Sequence, residues 1–464
     1  MRSRHSLSRS LIARPPDCLP LALTVTAMSL DALDKIRQQF DFAPFPAVPL
    51  EEFPRDDLNL LYMHSLVAPY YQQHRAVPDT AGQLILDAGC GSGYKSLLLA
   101  AANPGATVIG VDISAESVEL SRQRLRYHGF ETAEFHAIGI EEVPSLGLEF
   151  DYINCDETLY LLPDPQAGLT MLQAVLKPGG IVRGNLHNRY QRRNYYQAQA
   201  LFGLLGLMDD NPQDMEIDLV LETMQALKPE TFLRSLTWQS IYLEKPKSVL
   251  VDYLLLGDKG FAVPDMFAML REAGLEFVSM VNACQWHLED LFHTPQQLPE
   301  VWTRYVARLS VEQRLHAYEL INPAYRLLDF WCAKPGRSPA HSFNLRQEKT
   351  WPNVTVHLHP LLRRPQVKAA LIACCEQRQP FDFGDFLSYS SGRSVLMLSE
   401  LAACLLPLWE APQSVGAIAQ RYCTLNPVHP QTLEPIDPAA AQAIVQQLLL
   451  TLEQYMYVLF DITE

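Results

Sequence analysis

The chain has 464 residues, with 37 Lys and Arg against 52 Asp and Glu, a formal net charge of −15. Such an acidic balance argues against nonspecific nucleic-acid binding, because phosphate contacts need clustered Lys and Arg. The length suits two or three domains with full apolar cores. Nine cysteines lie scattered without a C-x-x-C pair, which fits reduced thiols in a cytoplasmic protein better than a disulfide or zinc framework.

Residues 1–28 differ from the rest, with Arg2, Arg4, Arg9 and Arg14, several serines, and no acid before Asp17. Leu19 to Met28 is apolar for only ten residues, too short to span a bilayer as a helix. The segment reads as a disordered extension or an over-called start, with a targeting peptide as the alternative. No other apolar run is long enough for a transmembrane helix. Residues 29–80 hold a short amphipathic helix, Asp31 to Phe40, and a proline-punctuated extended stretch from Phe42 to Pro49. A further helix over Leu58 to Gln73 carries Tyr62, His64, Tyr70 and Tyr71 towards the core.

Leu84-Ile85-Leu86 is a short apolar run of the kind that forms a buried parallel strand. It ends in Asp87-Ala88-Gly89-Cys90-Gly91-Ser92-Gly93, and Lys95 to Ala102 reads as a helix stopped by Asn103-Pro104-Gly105. A second strand, Thr107 to Val111, ends in Asp112, 19 residues beyond Gly93. Strand, glycine turn, helix, strand and acid make half of a doubly wound nucleotide fold. The glycines let the backbone approach a ligand, and a carboxylate at Asp112 can accept both hydroxyls of a ribose. A dinucleotide G-x-G-x-x-G fingerprint fails, because its last glycine falls on Tyr94 or on Ser96.

The motif D-x-G-x-G-x-G resembles motif I of the class I S-adenosylmethionine-dependent methyltransferases. The resemblance implies an α/β fold with a doubly wound, mostly parallel, seven-stranded Rossmann-like sheet. It implies S-adenosylmethionine as cofactor and methyl donor, held by Asp87, Gly89, Gly91, Gly93, Tyr94, Asp112 and Ile113. The aromatics of Leu58 to Gln73 would then pack in the core or cover the methionine end of the cofactor. Ser114 suits a helix N-cap, the helix runs to about His128, and Gly129 follows as its stop. Ala133 to Ile140 reads as the third strand, with Gly139 where relatives carry an Asp, so adenine is expected against the backbone of Ile140 and Glu141. Phe150 to Asp156 resembles motif IV and should bring Cys155 and Asp156 to the site edge. Asp156 reads equally as a strand-end cap.

Leu169 to Leu176 reads as a helix, and Lys177-Pro178-Gly179-Gly180 before strand Ile181 to Asn185 is a further landmark of the same family. The sheet is then interrupted by Asn188 to about Pro246, which reads as a helical lid, and resumes near Val249 to Leu256. Helix Pro264 to Ala273 and strand Leu275 to Val281 would close the sheet. The methyltransferase domain is thus expected over 81–285, with its lid at 188–246. Residues 286–464 read as a mainly helical C-terminal domain. In it Val354 to Leu358 alternates like an edge strand, and three helices with a terminal strand resemble a winged-helix module.

Methyl transfer needs an acceptor aligned with the donor and shielded from water, and a neutral acceptor must lose a proton. Tyr160 and His187 are the candidate catalytic groups, although His187 reads equally as an ordinary loop histidine. No metal-ligand motif accompanies them. The expected acceptor is a small or hydrophobic molecule. The alternatives are a protein acceptor docked by the C-terminal domain, or a non-catalytic S-adenosylmethionine-binding regulator.

Overall fold

The computed structural model describes residues 30–295, 297–336, 351–390, 394–428 and 433–461. The segment read as an extension at 1–28 lies outside them. Helix α1 is Leu30–Phe42, and the proline-rich stretch follows it. The expected helix over 58–73 is two helices, α2 (Leu58–His64) and α3 (Val67–His74). Buried Asn103 divides them: its side chain accepts from the Leu66 amide at 2.8 Å and donates to the His64 carbonyl at 2.9 Å. These bonds satisfy backbone groups at the helix junction.

Strand β1 is Leu84–Ala88, α4 is Tyr94–Ala102, and β2 is Thr107–Asp112. Helix α5 (Ala115–Tyr127) is capped by Ser114, whose hydroxyl accepts from the Ser117 amide at 3.0 Å. Then come β3 (Glu134–Ala137), β4 (Phe150–Cys155), α6 (Pro165–Ala174) and β5 (Leu176–Asn188). Four helices fill the insertion: α7 (Arg193–Leu204), α8 (Asp214–Ala226), α9 (Phe232–Thr237) and α10 (Ile241–Glu244).

The expected strand near Val249 to Leu256 is instead a helix, α11 (Ser248–Asp252), continued by a turn. Val249, Leu250, Tyr253 and Leu254 are buried together. That spacing is helical, and an apolar run alone does not reveal it. After it come β6 (Gly260–Phe261), α12 (Val263–Glu272) and β7 (Glu276–Met280). The sheet does not close at Val281. Strand β8 (Leu327–Ala333) enters between β5 and β7, antiparallel to both. A boundary at 285 therefore cuts through the sheet, and the run Leu-Leu-Asp-Phe-Trp-Cys-Ala is one of its most buried strands.

The main sheet has the order β3-β2-β1-β4-β5-β8-β7, with β6 paired to β5. Strands β1 to β5 are mutually parallel, as the doubly wound reading requires. Beyond it, β9 (Thr355–Leu358), β10 (Gln413–Ser414) and β11 (Val458–Asp461) form an antiparallel sheet. There β9 is the central strand rather than an edge, which its alternating burial alone does not decide. Helices Pro365–Gln377, Ser399–Cys404, Val415–Leu425 and Pro438–Gln454 surround that sheet.

One apolar core runs from the α2–α5 face of the main sheet into the C-terminal region. Tyr71 ties the two together, donating to Glu453 at 3.0 Å and accepting from the Phe460 amide at 3.2 Å. The opposite face of the sheet holds a second core, and the insertion a third that includes Phe42 and Ala43. Among the described residues no helix is long and apolar enough to cross a membrane.

Candidate active site

A crevice of about 850 Å³, counting its open mouth, lies beyond the carboxyl ends of β1, β2 and β4. Ligands of open α/β sheets bind in this position. Gly89, Gly91 and Asp112 line it. The Asp112 carboxylate accepts the Gly91 amide and the Ser114 amide, each at 2.9 Å. Burial raises the Asp112 carboxyl above its ordinary value, and those two amides work against the rise. Each oxygen keeps acceptor capacity beyond one amide.

The glycine loop is roofed by the proline-rich stretch. The Phe45 carbonyl accepts from the Ser92 amide at 3.0 Å, and the Ser92 hydroxyl donates to the Pro46 carbonyl at 2.9 Å. Gly91 has φ +51°, and a Cβ there would sit 2.3 Å from the Phe45 carbonyl oxygen. Buried Arg124 pins the same stretch through the Val48 carbonyl at 2.8 Å and the Pro49 carbonyl at 2.7 Å. Phe45, Pro46 and three α1 residues, Leu33, Ile36 and Phe40, line the crevice. No residue of 188–246 is among those lining it.

On the opposite wall, Ile113, Ile138, Ile140 and Glu141 form a slot that is mostly apolar. At the end of β4 the buried Asp156 accepts from Asn185 at 2.5 Å and pairs with Lys95 at 2.9 Å. Arg183 lies 3.5 Å away and His64 3.8 Å away. Burial would raise the Asp156 carboxyl, but Arg183 and Lys95 hold it well below the usual range.

Glu157 follows with φ +62°, an uncommon conformation for a residue with a Cβ. Its amide donates to Asn185 at 2.8 Å, and its carboxylate is forked by Arg326, with one bond at 2.9 Å. The Tyr160 hydroxyl donates to it at 2.7 Å. Burial opposes ionisation, yet Arg326 and Lys95 hold Glu157 down at about 2. The same burial, reinforced by Glu157, pushes the Tyr160 phenol well above its ordinary value.

Glu157 and Leu161 also line a second cavity of about 600 Å³, counting its open mouth, with Phe40, Phe45, Tyr160, Val251, Asp252, Leu255 and Arg326. His187 lies behind this wall and is 1% exposed. Its ring stacks on Tyr160 at 3.7 Å. Nδ1 faces Asp258 at 2.6 Å, and Nε2 accepts from Arg326 at 2.9 Å. Burial lowers the His187 pKa, with Asp258 opposing, and because the Arg326 guanidinium can only donate, Nε2 accepts and the ring proton sits on Nδ1. Asp258 is held at about 2 despite its burial, by His187 and Arg192.

The sequence-derived residues thus fall into two groups. Gly89, Gly91, Asp112, Ile113, Ile140, Glu141 and Asp156 meet around one crevice, and Tyr160 lines the adjoining cavity. Asp87, Gly93, Tyr94, Cys155 and His187 do not line either one. Asp87 is occupied by Ser96 at 2.5 Å and Asn154 at 2.9 Å, bracing the glycine turn from below. A Cβ on Gly93 would meet Ser121 of α5, so that glycine serves helix contact. Tyr94 lies under the Arg124 guanidinium, and Cys155 points into the second apolar core. Lys95, Glu157 and Arg326 escaped the sequence reading. Lys95 was within reach of it, two positions past the motif, whereas Arg326 arrives only through the pairing of β8 with β5.

A family model described as a methyltransferase domain matches residues 79–232. An uncharacterised protein of Synechococcus is 27% identical over 321 residues, 68% of this chain and 75% of that protein. A ubiquinone biosynthesis O-methyltransferase of Bordetella avium is 35% identical over 129 residues, 27% of this chain. The chain spans about half the length, 48%, of that enzyme. Among solved structures, PKMT2 from Rickettsia typhi superposes with a TM-score of 0.54 at 14% identity, over 88% of this chain and 76% of that one. PKMT2 has also been solved in complex with AdoHcy. At that identity the likeness concerns the fold. Motif, sheet order, crevice and family match agree: residues 79–232 carry a methyltransferase domain, on a sheet of the class I S-adenosylmethionine-dependent type.

Proposed function

We propose that the chain transfers a methyl group from S-adenosylmethionine to a small-molecule acceptor seated beside Glu157. One observation carries the reading: Glu157 lines both the crevice of the glycine loop and the cavity next to it. The residues suit the donor chemically. Asp112 keeps acceptor capacity for ribose hydroxyls, and Ile113, Ile138 and Ile140 offer apolar walls to an adenine ring. Lys95 and Asp156 supply one charge of each sign for the amino-acid end. When bound, S-adenosylmethionine supplies an activated methyl, and its transfer leaves the carbon–sulfur electron pair on sulfur.

The protein's part is orientation and exclusion of water. Helix α1 and Phe45 cover the crevice, while Glu157 and Tyr160 present hydrogen-bonding groups in the cavity beside it. Glu157, held at about 2, orients an acceptor and relays its proton to water rather than retaining it. His187 acts as a positioning residue, because Arg326 occupies the Nε2 that a general base would use. The insertion reaches the acceptor side only at Lys245 and Pro246, which line a third, outer cavity. The C-terminal region is taken as a structural partner of the sheet, and no metal is required.

The test is incubation with isotopically labelled methyl donor, separately with a metabolite pool and with a protein lysate, read by mass. Label is expected in molecules of low mass. Label confined to protein would replace this acceptor with a protein one, and no label in either pool would support a non-catalytic role.

A further inference from the structure

The cavity beside Glu157 does not end there. Phe40, Phe45, Val251 and Leu255 are also walls of the outer cavity, of about 1420 Å³ counting its open mouth, between the proline-rich stretch and the start of α11. Donor crevice, inner chamber and outer chamber therefore run in series, with Phe40 and Phe45 common to all three. The chemistry changes along this path. The inner chamber concentrates its polar groups at Glu157, Tyr160, Asp252 and Arg326, whereas Pro44, Pro46, Val48, Pro49 and Leu250 dominate the outer wall.

The hydrogen-bond inventory at the inner end is specific. The Glu157 carboxylate takes two bonds from Arg326 and one from Tyr160, which leaves capacity for one further donor. Arg326 spends three N–H groups on Glu157 and His187, which leaves two of its five. A group filling this space must donate to a carboxylate and accept from a guanidinium at once. A hydroxyl does both. An ammonium can only donate, and it would also face the guanidinium charge.

Resting on the methyltransferase reading above, we infer that the acceptor is an elongated amphiphile with a hydroxyl head against the paired Glu157 and Arg326 and an apolar body beneath the proline-rich stretch. The acceptor is then recognised in two parts, a hydrogen-bonded head and a body chosen by length.

Calorimetric titration of the full chain, saturated with S-adenosylhomocysteine, with 4-ethylphenol, 4-butylphenol and 4-hexylphenol tests this. Affinity is expected to rise about 2–4-fold per added methylene, as burial of apolar surface predicts. Hexylbenzene and hexylamine should bind at least about tenfold more weakly than hexylphenol, for want of the paired head contacts. Val251→Trp, which narrows the passage between the chambers, should abolish the length dependence while leaving S-adenosylhomocysteine affinity unchanged. Ala47→Trp, on the outer wall, should weaken only the hexyl compound, and it serves if the first variant fails to fold. Equal affinity across the phenols, or hexylbenzene matching hexylphenol, would overturn the inference. Failure of S-adenosylhomocysteine itself to bind would instead overturn the donor assignment on which it rests.

Discussion

The donor crevice draws much of its wall from one stretch, Gly89 to Ser117, whereas the chamber beside it takes Phe40, Glu157, Val251 and Arg326 from four distant parts of the chain. In the crevice, backbone conformation does most of the work, through positive-φ glycines and amides aimed at Asp112. In the chamber, ion pairing does it, Glu157 with Arg326, backed behind His187 by the buried pair of Asp258 with Arg192. The first kind of site tolerates no added carbon. The second tolerates small changes of shape better than loss of a charge.

The sharpest break in that comparison is Gly91→Val. Its Cβ would overlap the Phe45 carbonyl at 2.3 Å on a backbone with φ +51°, so roof and loop cannot both keep their places. Calorimetry should detect no S-adenosylhomocysteine binding, a loss above about 100-fold, while circular dichroism stays native. Wild-type affinity in this variant would mean that the roof moves freely and does not define the crevice.

Acid should act on the carboxylates held by cations rather than on Asp112 at the glycine loop. Glu157 and Asp258 titrate at about 2 in the folded chain, below their unfolded values. The unfolded chain therefore binds more protons, and stability must rise with pH through this window. The contribution is fully present above about pH 4–5 and is lost as pH falls towards about 2. Each carboxylate accounts for up to about 3 kcal/mol. Urea unfolding measured from pH 7 down to pH 3 should show this decline, and Glu157→Gln should make it shallower. An unchanged slope in that variant would deny Glu157 its share.

Asp112→Ala separates ribose recognition from loop geometry. It removes charge-assisted acceptors and should weaken S-adenosylhomocysteine binding by about 1.5–3 kcal/mol. Loss of less than about threefold would place the ribose elsewhere. Glu157→Gln gives the smallest effect at neutral pH. Turnover should fall by about tenfold, or about 1.4 kcal/mol, with donor affinity within about threefold. A larger loss of donor affinity than of turnover would assign Glu157 to the donor and dissolve the division between the two regions.

That division also explains what the sequence made legible. The motif at Asp87 to Gly93, Asp112 and the cap at Ser114 are local patterns, and each corresponds to a local structure that periodicity and turn chemistry can specify. Val249 to Leu254 misled because a buried helix and a buried strand share an apolar run. Strand β8 was missed because an antiparallel partner for β5 can arrive after any length of intervening chain, here from residue 327. With β8 hidden, Arg326 could not be placed beside Glu157, and His187 stood out as the histidine at the end of β5. No local signal marks a residue whose role depends on pairing with one 169 positions away.

The account stands most directly on what the crevice binds. Titration of the wild-type chain with S-adenosylhomocysteine and, separately, with NAD, followed by calorimetry, addresses that alone. Saturable binding of the sulfur nucleoside at one site per chain, with no heat from NAD, is the predicted result. Binding of NAD with no response to S-adenosylhomocysteine would contradict it.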